Sequence, residues 1–386
     1  MDKRQLKWAH YILVAFMVTS LLAGCRIEPP LNLHIERHVN VGVPWVKPDL
    51  NVFWSYEDDG DWQANWSYGW DDTDKSTYGD YGYSAPTTYY IRRYFKGSNP
   101  DGPRLSVVRH TASQSYLTAQ YEFGYYDFLT WTGNKSLDEV VNNEFTESSD
   151  YTTVMLTTNK SPYVINRAAT NLSQTYYEPD EVFRWAKDNV YVSENPDHYD
   201  GYDAQKNVYT MNLAGKLEPI VYIYLPQVVL YNNKGRITSV DGNASVGGMS
   251  KSVNVSTGMT SDEPINVFFA TRMKKNQELA NGKKVDVIGG RFTTFGLCNT
   301  KPNEITKASE VNDKYRHLMG VNIQFSNGKD STMVFDVTKQ VRKAYRGGVI
   351  TVELDVDTVK LPNRSGGSGF DVSVKDFVDH EYDFEM

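Results

Sequence analysis

Cysteine is scarce in this chain of 386 residues, which contains only Cys25 and Cys298. Two cysteines allow at most one disulfide bond, and Cys25 has a different predicted use, described below. We therefore expect no intrachain disulfide, so that the fold must be stabilised by packing alone. Cys298 itself is predicted to be a small buried side chain beside Phe295 and Leu297.

The residue patterns of catalysis and metal binding are also missing. The seven histidines are scattered, and the sequence contains no His-Glu-x-x-His, Cys-x-x-Cys or Gly-x-Ser-x-Gly motif and no glycine-rich phosphate loop. These absences predict no enzymatic activity, no cofactor and no metal site. A pair of carboxylates for glycoside hydrolysis stays open as an alternative, because their separation depends on the fold.

The chain has no excess of positive charge. Its 40 Lys and Arg residues are outnumbered by 48 Asp and Glu residues, which gives a net charge of −8. An acidic chain without a basic block has little attraction for phosphate backbones. Nucleic acid is therefore not expected as a partner.

The chain does carry an export signal at its N-terminus. Basic residues at positions 3, 4 and 7 precede an apolar run from Tyr11 to Leu22. This arrangement is typical of a secretory signal peptide, and the run is too short for a membrane-spanning helix. The run ends in Leu22-Ala23-Gly24-Cys25, which has the form of the lipobox of bacterial lipoproteins.

The lipobox predicts a signal peptide over residues 1–24, cleavage between Gly24 and Cys25, and lipidation of Cys25. The thiol forms the thioether to diacylglycerol, and the new amine accepts a further acyl chain such as palmitate. Each buried methylene contributes about 0.8 kcal/mol, so several chains hold the protein firmly in a bilayer. An ordinary signal peptide, with Cys25 present by coincidence, is the alternative.

Removal of the signal peptide takes away three cations and one anion, so the net charge changes from −8 to −10. Only one acid occurs in the segment Arg26-Ile27-Glu28-Pro29 after the cysteine. One acid does not indicate export to the cell surface. We therefore expect lipid anchoring in the outer membrane and leave open whether the protein faces the cell surface or the periplasm.

Strand patterns dominate the remainder of the chain. Aromatic residues make up 13% of the sequence, which favours strands. Apolar and polar residues alternate over residues 31–36, 350–356 and 370–375, the pattern of strands with one buried face. Asn327-Gly328 predicts a hairpin with a type I′ turn, and Asn233-Lys234-Gly235 predicts a second hairpin.

Helical signals are few. Pro and acidic residues at the start of residues 179–186 predict one short helix, and Asp336 is a candidate cap for a second that Gly347 ends. Turn-forming residues between 193 and 206 mark a domain boundary. The predicted organisation is a tether over residues 25–30, a first β-sandwich over 31–195 and a second over 205–386.

A loop rich in aromatic residues stands out near the start of the predicted first sandwich. Five tryptophans fall between Trp45 and Trp70, interleaved with Tyr, Gly and Asp. Such rings either pack the loop onto the sandwich or form a contact surface for glycan or protein. The candidate ligand contacts are Trp54, Trp62, Trp66 and Trp70.

Two acidic runs lie in the same region, over residues 57–61 and 71–74. Clustered oxygen ligands suit calcium, but position twelve counted from Asp72 is Tyr83, where an EF-hand requires Glu. Solvated acidic loops are the favoured interpretation, with calcium binding as the alternative.

Taken together, these features resemble the fimbrillin-type lipoproteins of oral and gut anaerobes, in an uncharacterised branch related to the anchor subunits of fimbriae. In the first predicted domain, the similar segment runs from Gly124 to Trp131, with a turn at residues 132–134. In the second domain the similar segments are 256–259, 290–296, 335–341 and 369–374.

The resemblance implies an all-β protein of two tandem transthyretin-like (Greek-key) β-sandwiches with a few short helices. It also implies no enzymatic activity and a role in fimbria assembly, anchoring or adhesion through strand addition, with fimbrial subunits as partners. Arg26 follows Cys25 directly and leaves no room for a propeptide, which favours an anchor or terminating subunit. The alternative is a glycan-binding outer-membrane lipoprotein of a polysaccharide-uptake system that uses the tryptophan-rich loop.

Overall fold

The computed structural model describes thirteen stretches of the chain. They are residues 34–37, 44–47, 71–79, 82–113, 119–133, 143–146, 150–163, 174–199, 201–203, 208–210, 215–279, 281–362 and 372–373. Within these ranges strands far outnumber helices, so the all-β prediction is confirmed.

The described strands are numbered β1 to β23 in chain order. The first twelve are β1 His34–Arg37, β2 Pro44–Lys47, β3 Thr88–Gly97, β4 Ser106–Ala112, β5 Ala119–Gln120, β6 Gly124–Gly133, β7 Asn143–Thr146, β8 Met155–Thr158, β9 Thr175–Tyr176, β10 Phe183–Val192, β11 Gly201–Asp203 and β12 Val208–Thr210. The others are β13 Glu218–Pro219, β14 Tyr222–Tyr231, β15 Ile237–Ser250, β16 Ser252–Asn254, β17 Pro264–Glu278, β18 Lys284–Gly290, β19 Phe292–Thr294, β20 Leu318–Phe325, β21 Asp330–Asp336, β22 Gly348–Asp355 and β23 Val372–Ser373. The helices are α1 Asp72–Tyr78 and α2 Thr338–Lys343.

The first main sheet contains five strands in the order β13-β10-β6-β3-β4. Successive side chains of a strand point to opposite faces, and both faces of the central strand β6 are buried. Tyr126 and Phe128 of β6 belong to the core on one face, and Leu129 and Trp131 belong to the core on the other. The sheet is therefore a central layer that needs cover on both sides.

The second main unit is a sandwich whose two layers share strand β17. Residues 264–270 of β17 pair with β15 in one layer, and residues 271–278 pair with β18 in the other. The first layer continues through β20, β21 and β23, and the second continues through β14 to β22. The largest hydrophobic core of the described residues, which includes Phe269, Phe292 and Phe335, fills the space between the layers.

Of the two predicted hairpins, one is confirmed with a different turn. β20 and β21 pair around Asn327-Gly328, but only Gly328 has a positive φ, +74°. The Gly328 N–H donates to the Phe325 carbonyl at 2.9 Å, and the Phe325 N–H donates to the Lys329 carbonyl at 2.8 Å. The loop is thus a type I turn followed by a bulge, since a type I′ turn requires positive φ at both central residues.

The other predicted hairpin is wrong. The residues around Asn233-Lys234-Gly235 do form a tight turn, with φ values of +53° at Asn232 and +76° at Gly235. However, β14 pairs with β18, β19 and β22, whereas the following strand β15 pairs with β17 and β20. The turn therefore carries the chain from one layer of the sandwich to the other.

The helix predicted over residues 179–186 is also wrong, because the chain there enters strand β10. Phe183 and Trp185 are buried on one face of the first sheet, and Arg184 points to the other face. Pairing with β6 along β10 outweighs the local helical signals. The second predicted helix is confirmed as α2, in which Val341 is fully buried. Its termini differ from the prediction, because the N-cap is Val337 rather than Asp336 and the helix ends at Lys343, before Gly347. Asp336 accepts a hydrogen bond from the Thr338 N–H at 3.1 Å.

The two main units are joined by a polar and apolar contact, which we call the joint. Tyr94 and Trp131 of the first sheet share a core with Val255 and Phe295 of the second unit. Across it, Arg184 donates from Nε to the Val255 carbonyl at 2.5 Å and from Nη2 to the Ser256 carbonyl at 2.6 Å.

A second set of contacts in the joint involves the segment before β10. Arg291 pairs with Glu181 at 2.6 Å, and both side chains are almost buried. The Thr293 N–H donates to Glu178 Oε2 at 3.2 Å, and burial of this carboxyl group raises the pKa of Glu178 to about 7. Strands also cross the predicted boundary region, since β9 pairs with β17 and β16 pairs with β8. The division into domains at residues 195–205 stays a prediction.

We expect Arg184→Leu to lower the free energy of unfolding by about 3 kcal/mol, because two buried carbonyl groups lose charged donors. The measurement is urea denaturation followed by circular dichroism. The matched control is Arg316→Leu, which removes an arginine whose side chain is 71% exposed in its ion pair with Asp336. Equal losses in the two variants would contradict a special role for Arg184.

Glu178 predicts a pH dependence of stability. Its folded pKa of about 7 lies above its ordinary value of 4.5, so the folded chain holds a proton that the unfolded chain releases between these pH values. The contribution of Glu178 is therefore most favourable below pH 4.5 and is lost as the pH rises through about 7. We expect Glu178→Gln to raise the urea midpoint at pH 8 and to have little effect at pH 4.5. A variant that shifts both midpoints equally would contradict this assignment.

Candidate functional site: the open edge of the first sheet

Most of the site residues predicted from the sequence lie outside the described residues. These are Gly24 and Cys25 of the lipobox and the four tryptophans Trp54, Trp62, Trp66 and Trp70. The acidic run at residues 57–61 lies outside them too. Lipidation and ligand contact at these positions stay predictions. In the part of the chain that is described, no helix has the length and apolarity needed to cross a bilayer.

The second acidic run is not the solvated loop that the sequence predicts, because it begins helix α1. Asp71 caps the helix and accepts from the N–H groups of Thr73 and Asp74 at 3.0 and 3.1 Å. Asp74 is 5% exposed and pairs with Arg272 and Lys274 of β17 at 3.1 and 2.5 Å. Burial of Asp74 raises its pKa, but the hydrogen bonds from Lys274 and Arg272 outweigh burial and lower it. These carboxylates dock α1 on the second unit.

No candidate catalytic or metal centre emerges from the described ranges, where no group of three or more His, Cys, Asp or Glu side chains is placed to hold a metal ion. The most enclosed titratable pair is Asp313 and His317, whose side chains are fully buried with Nε2 and Oδ2 at 2.7 Å. Arg342 of α2 also contacts Asp313 at 3.2 Å. The pair thus connects α2 to the loop before β20, a structural task.

Cys298 is a small core residue, as predicted. It is 1% exposed, and its Sγ lies 3.6 Å from the Gly248 carbonyl oxygen. Burial and the nearby carboxylates of Asp313 and Asp262 raise the pKa of its thiol to about 12. A protonated, enclosed thiol is a poor nucleophile.

The feature that points to function is strand β4, which forms one edge of the first sheet. β4 pairs with β3 along its whole length, from Ala112 opposite Tyr89 to Ser106 opposite Phe95. The structure describes no strand on its other side. A turn held by Asn99, which accepts from the N–H groups of Asp101 and Gly102 at 3.0 and 3.1 Å, directs the chain back into this edge.

Apolar side chains along this edge are exposed to solvent. Leu105, just before β4, is 63% exposed, and Val108 is 39% exposed. Arg109 and Thr111 are exposed as well. An exposed edge strand carries a row of outward N–H and C=O groups that can pair with another strand, and proteins usually blunt such edges.

The hairpin that carries the edge is basic, although the chain as a whole is acidic. Residues 88–112 contain five Lys or Arg and one Asp, a net charge of +4. Lys96 and Arg104, at one end of the hairpin, share the buried carboxylate of Asp127 at 3.6 and 2.8 Å. The other cations are Arg92, Arg93 and Arg109.

Arginine side chains of the neighbouring strand β3 help to hold the middle of β4 in place. Arg92 Nη1 donates to the His110 carbonyl of β4 at 2.9 Å, and the Arg93 guanidinium lies 4.1 Å above the ring of Tyr121. Burial, followed by the charges of Arg93 and Arg92, lowers the pKa of His110. The main chain of β4 is therefore held in place, and the arginines beside it carry positive charge.

One edge of the second unit, strand β21, differs because the chain covers it with its own C-terminal part. β23 pairs in parallel with β21, with Val372 opposite Met333 and Ser373 opposite Val334. The preceding segment is fixed by hydrogen bonds from Arg236 to the Val359 carbonyl at 2.6 Å and from Asn327 to the Pro362 carbonyl at 2.9 Å. Neither edge was identified from the sequence, because an edge is defined by pairing between distant strands. The charge bias of residues 88–112 was the one local signal.

Comparison with known proteins finds no matching protein-family model and no matching curated protein. Solved structures do match. A proposed adhesin from Bacteroides ovatus is 13% identical, with a TM-score of 0.45 over 73% of this chain and 90% of that one. The fimbrial anchor protein Mfa2 from Porphyromonas gingivalis is 11% identical, with a TM-score of 0.35 over 70% of this chain and 84% of that one. A fimbrial assembly protein from Parabacteroides distasonis is 12% identical, with a TM-score of 0.30 over 70% and 83% of the two chains. These structural neighbours are of the kind that the sequence resembles.

The burial of Cys298 predicts that this thiol is inert in the folded protein. We expect Cys298 not to react with a maleimide at pH 8 in the folded protein. It should react completely in about 6 M urea, which unfolds the chain. Mass spectrometry measures both. Rapid labelling without denaturant would contradict this prediction, because it would show that the core of the second unit opens to solvent.

Proposed function

We propose that this protein is a non-enzymatic, lipid-anchored protein of the cell envelope that takes part in fimbria assembly, anchoring or adhesion. In this proposal a partner adds an extended strand along β4. The observation that carries the proposal is the open, partly apolar edge of β4. In the same proposal, Cys25 carries the lipid that attaches the protein to the outer membrane.

Strand addition suits this edge for a physical reason. The main chain of an added strand bonds to the outward N–H and C=O groups, which supplies affinity, and alternate side chains supply specificity. Because β4 is fixed along β3 and held by Arg92, the edge is ordered before the partner arrives. A preorganised edge loses little conformational entropy on binding.

The charge of the hairpin indicates what the added strand carries. A net charge of +4 over residues 88–112 favours a segment with acidic side chains, and the exposed Leu105 and Val108 favour apolar side chains beside them. Complementary charge of this kind speeds encounter and excludes basic partners. The partner is therefore an extended acidic segment of another envelope protein.

The test is site-directed crosslinking in intact cells. Thr111→Cys places an accessible thiol on β4, and Cys298 does not compete because it is buried. After labelling with a photoactivatable maleimide, we expect a crosslinked species from Thr111→Cys. The matched control is Lys284→Cys, an exposed position on β18, which is paired on both sides. A chain that stays monomeric with both labels, or crosslinks equally from both, would overturn the proposal.

Proline variants test whether the partner adds as a strand. Neighbouring residues of a strand direct their N–H groups to opposite sides, so one of Val108→Pro and Arg109→Pro removes an outward N–H and leaves the pairing with β3 intact. The informative variant is the one that keeps the wild-type melting temperature. We expect it to reduce the crosslink at Thr111→Cys at least about threefold. An unchanged yield would mean that the partner binds β4 by side chains alone.

A further inference from the structure

Strand β4 presents two different faces to a strand that is added beside it. Successive residues of a strand point to opposite sides, so alternate residues of β4 share a face. Val107 packs against the core of the joint, together with Tyr94, which lies opposite it on β3. We call the side of β4 that carries Val107 the joint face, and its members are Leu105, just before the strand, Val107, Arg109 and Thr111.

The centre of the joint face is positive. Arg109 is exposed and lies directly opposite Arg92 of β3. Side chains at such positions are about 5 Å apart at Cβ, where like charges are unfavourable. Arg92 is fixed, because its guanidinium lies 4.8 Å from the ring centroid of Trp131 and its Nη1 donates to the His110 carbonyl at 2.9 Å. Two positive charges are therefore held side by side next to the open edge.

One end of the joint face is apolar. The Leu105 N–H donates to the Phe95 carbonyl at 2.7 Å, so the pairing with β3 extends to Leu105. A Cβ placed on Gly97 would lie 3.4 Å from Leu105 Cδ1, which shows that Leu105 lies beside this glycine. Leu105 is 63% exposed, and Val107 is half-buried. Along four residues the face thus changes from apolar at Leu105 to cationic at Arg109.

The other face of β4 has a different character. It carries Ser106, Val108, His110 and Ala112. Burial and the neighbouring arginines lower the pKa of His110, so its imidazole is neutral at pH 7. The nearest cation on this side is Arg93, which belongs to β3 and lies over the ring of Tyr121. A carboxylate on an added strand therefore comes closest to a positive charge on the joint face.

We propose that Arg109 selects the partner of β4 by favouring an acidic side chain opposite it, with apolar side chains two and four residues away on the same face. This inference rests on the strand addition proposed above and adds its register. At the ordinary strand spacing of about 4.8 Å, the side chain opposite Arg109 lies in line with Arg92. A carboxylate there is attracted by both cations, and the two apolar side chains cover Val107 and Leu105.

The test uses fluorescein-labelled peptides of nine residues and measures their binding to the purified mature chain by fluorescence anisotropy. On one face the probe carries threonine, glutamate, valine and leucine in the order of the β4 residues that they would face, and threonine fills the other positions. A second probe has the reversed order, so that parallel and antiparallel addition are both covered. Comparison probes carry lysine in place of glutamate. We expect the better glutamate probe to bind at least about fivefold more tightly than its lysine counterpart.

A charge exchange identifies the residue responsible. Arg109→Glu should reverse the preference, so that the lysine probe binds more tightly. The matched control is Lys187→Glu, at an exposed position of β10, which changes the net charge equally. β10 lies three strand spacings from β4, about 14 Å, which exceeds the screening length of about 8 Å at physiological ionic strength. We expect Lys187→Glu to keep the wild-type preference, and unchanged melting temperatures will confirm that both variants fold.

The same variants are then combined with Thr111→Cys for crosslinking in intact cells. Arg109→Glu should lower the crosslink at least about threefold, and Lys187→Glu should leave it unchanged. No crosslink from Thr111→Cys alone would overturn strand addition itself.

Other outcomes overturn the role of Arg109 and leave strand addition in place. These are a crosslink that Arg109→Glu does not lower, equal binding of glutamate and lysine probes, a preference that Arg109→Glu does not reverse, equal effects of Lys187→Glu, or no binding of any probe. A crosslink that rises in Arg109→Glu would show that Arg109 protects the edge against pairing, as edge charges do in many proteins.

Discussion

The joint between the two main units is the contact on which the rest of the structure depends. The first sheet has two faces to bury, and on one of them Tyr94 and Trp131 reach a complete core only with Val255 and Phe295 of the second unit. Arg184 then spans the same contact and supplies two carbonyl groups with donors. Domains joined by small polar contacts move freely, whereas an apolar core with buried hydrogen bonds fixes their relative position. A chain that gains no intrachain disulfide from its two cysteines obtains through this joint the rigidity that packing can provide.

The joint also limits which surfaces of the two units are exposed. Both faces of the central strand β6 are packed, and in the described part of the chain β21 is covered by β23. Among the described strands, β4 is one long edge without a second partner; its main-chain groups are ordered by β3, and its hairpin is net positive although the whole chain is net negative. Edge strands are normally protected against pairing because unprotected ones aggregate. The exposure of Leu105 and Val108 on such an edge is the observation behind the proposed strand addition.

The sequence predicted those parts of the fold that depend on local signals. The all-β class, helix α2 behind Asp336, the hairpin at Asn327-Gly328 and the buried Cys298 each follow from a few neighbouring residues. The errors arise where distant pairing overrides local preference. Residues 179–186 have helical signals but pair with β6, and Asp74 looks solvated in sequence but meets Arg272, which is 198 positions away. The β4 edge could not be predicted for the same reason, since it exists only once separate strands lie side by side.

The polar groups of the joint need a separate explanation, because they are costly. Glu178 is held where its carboxyl group resists ionisation, and Arg184 is buried enough that its pKa falls. Apolar side chains of similar volume would commonly be as stable or more so. Directional hydrogen bonds, however, accept one orientation of the two units, whereas an apolar contact tolerates sliding. A joint of this kind therefore fixes the relative orientation of the two units. The stability that these buried polar groups cost is then explained by the single orientation of the two units that they impose.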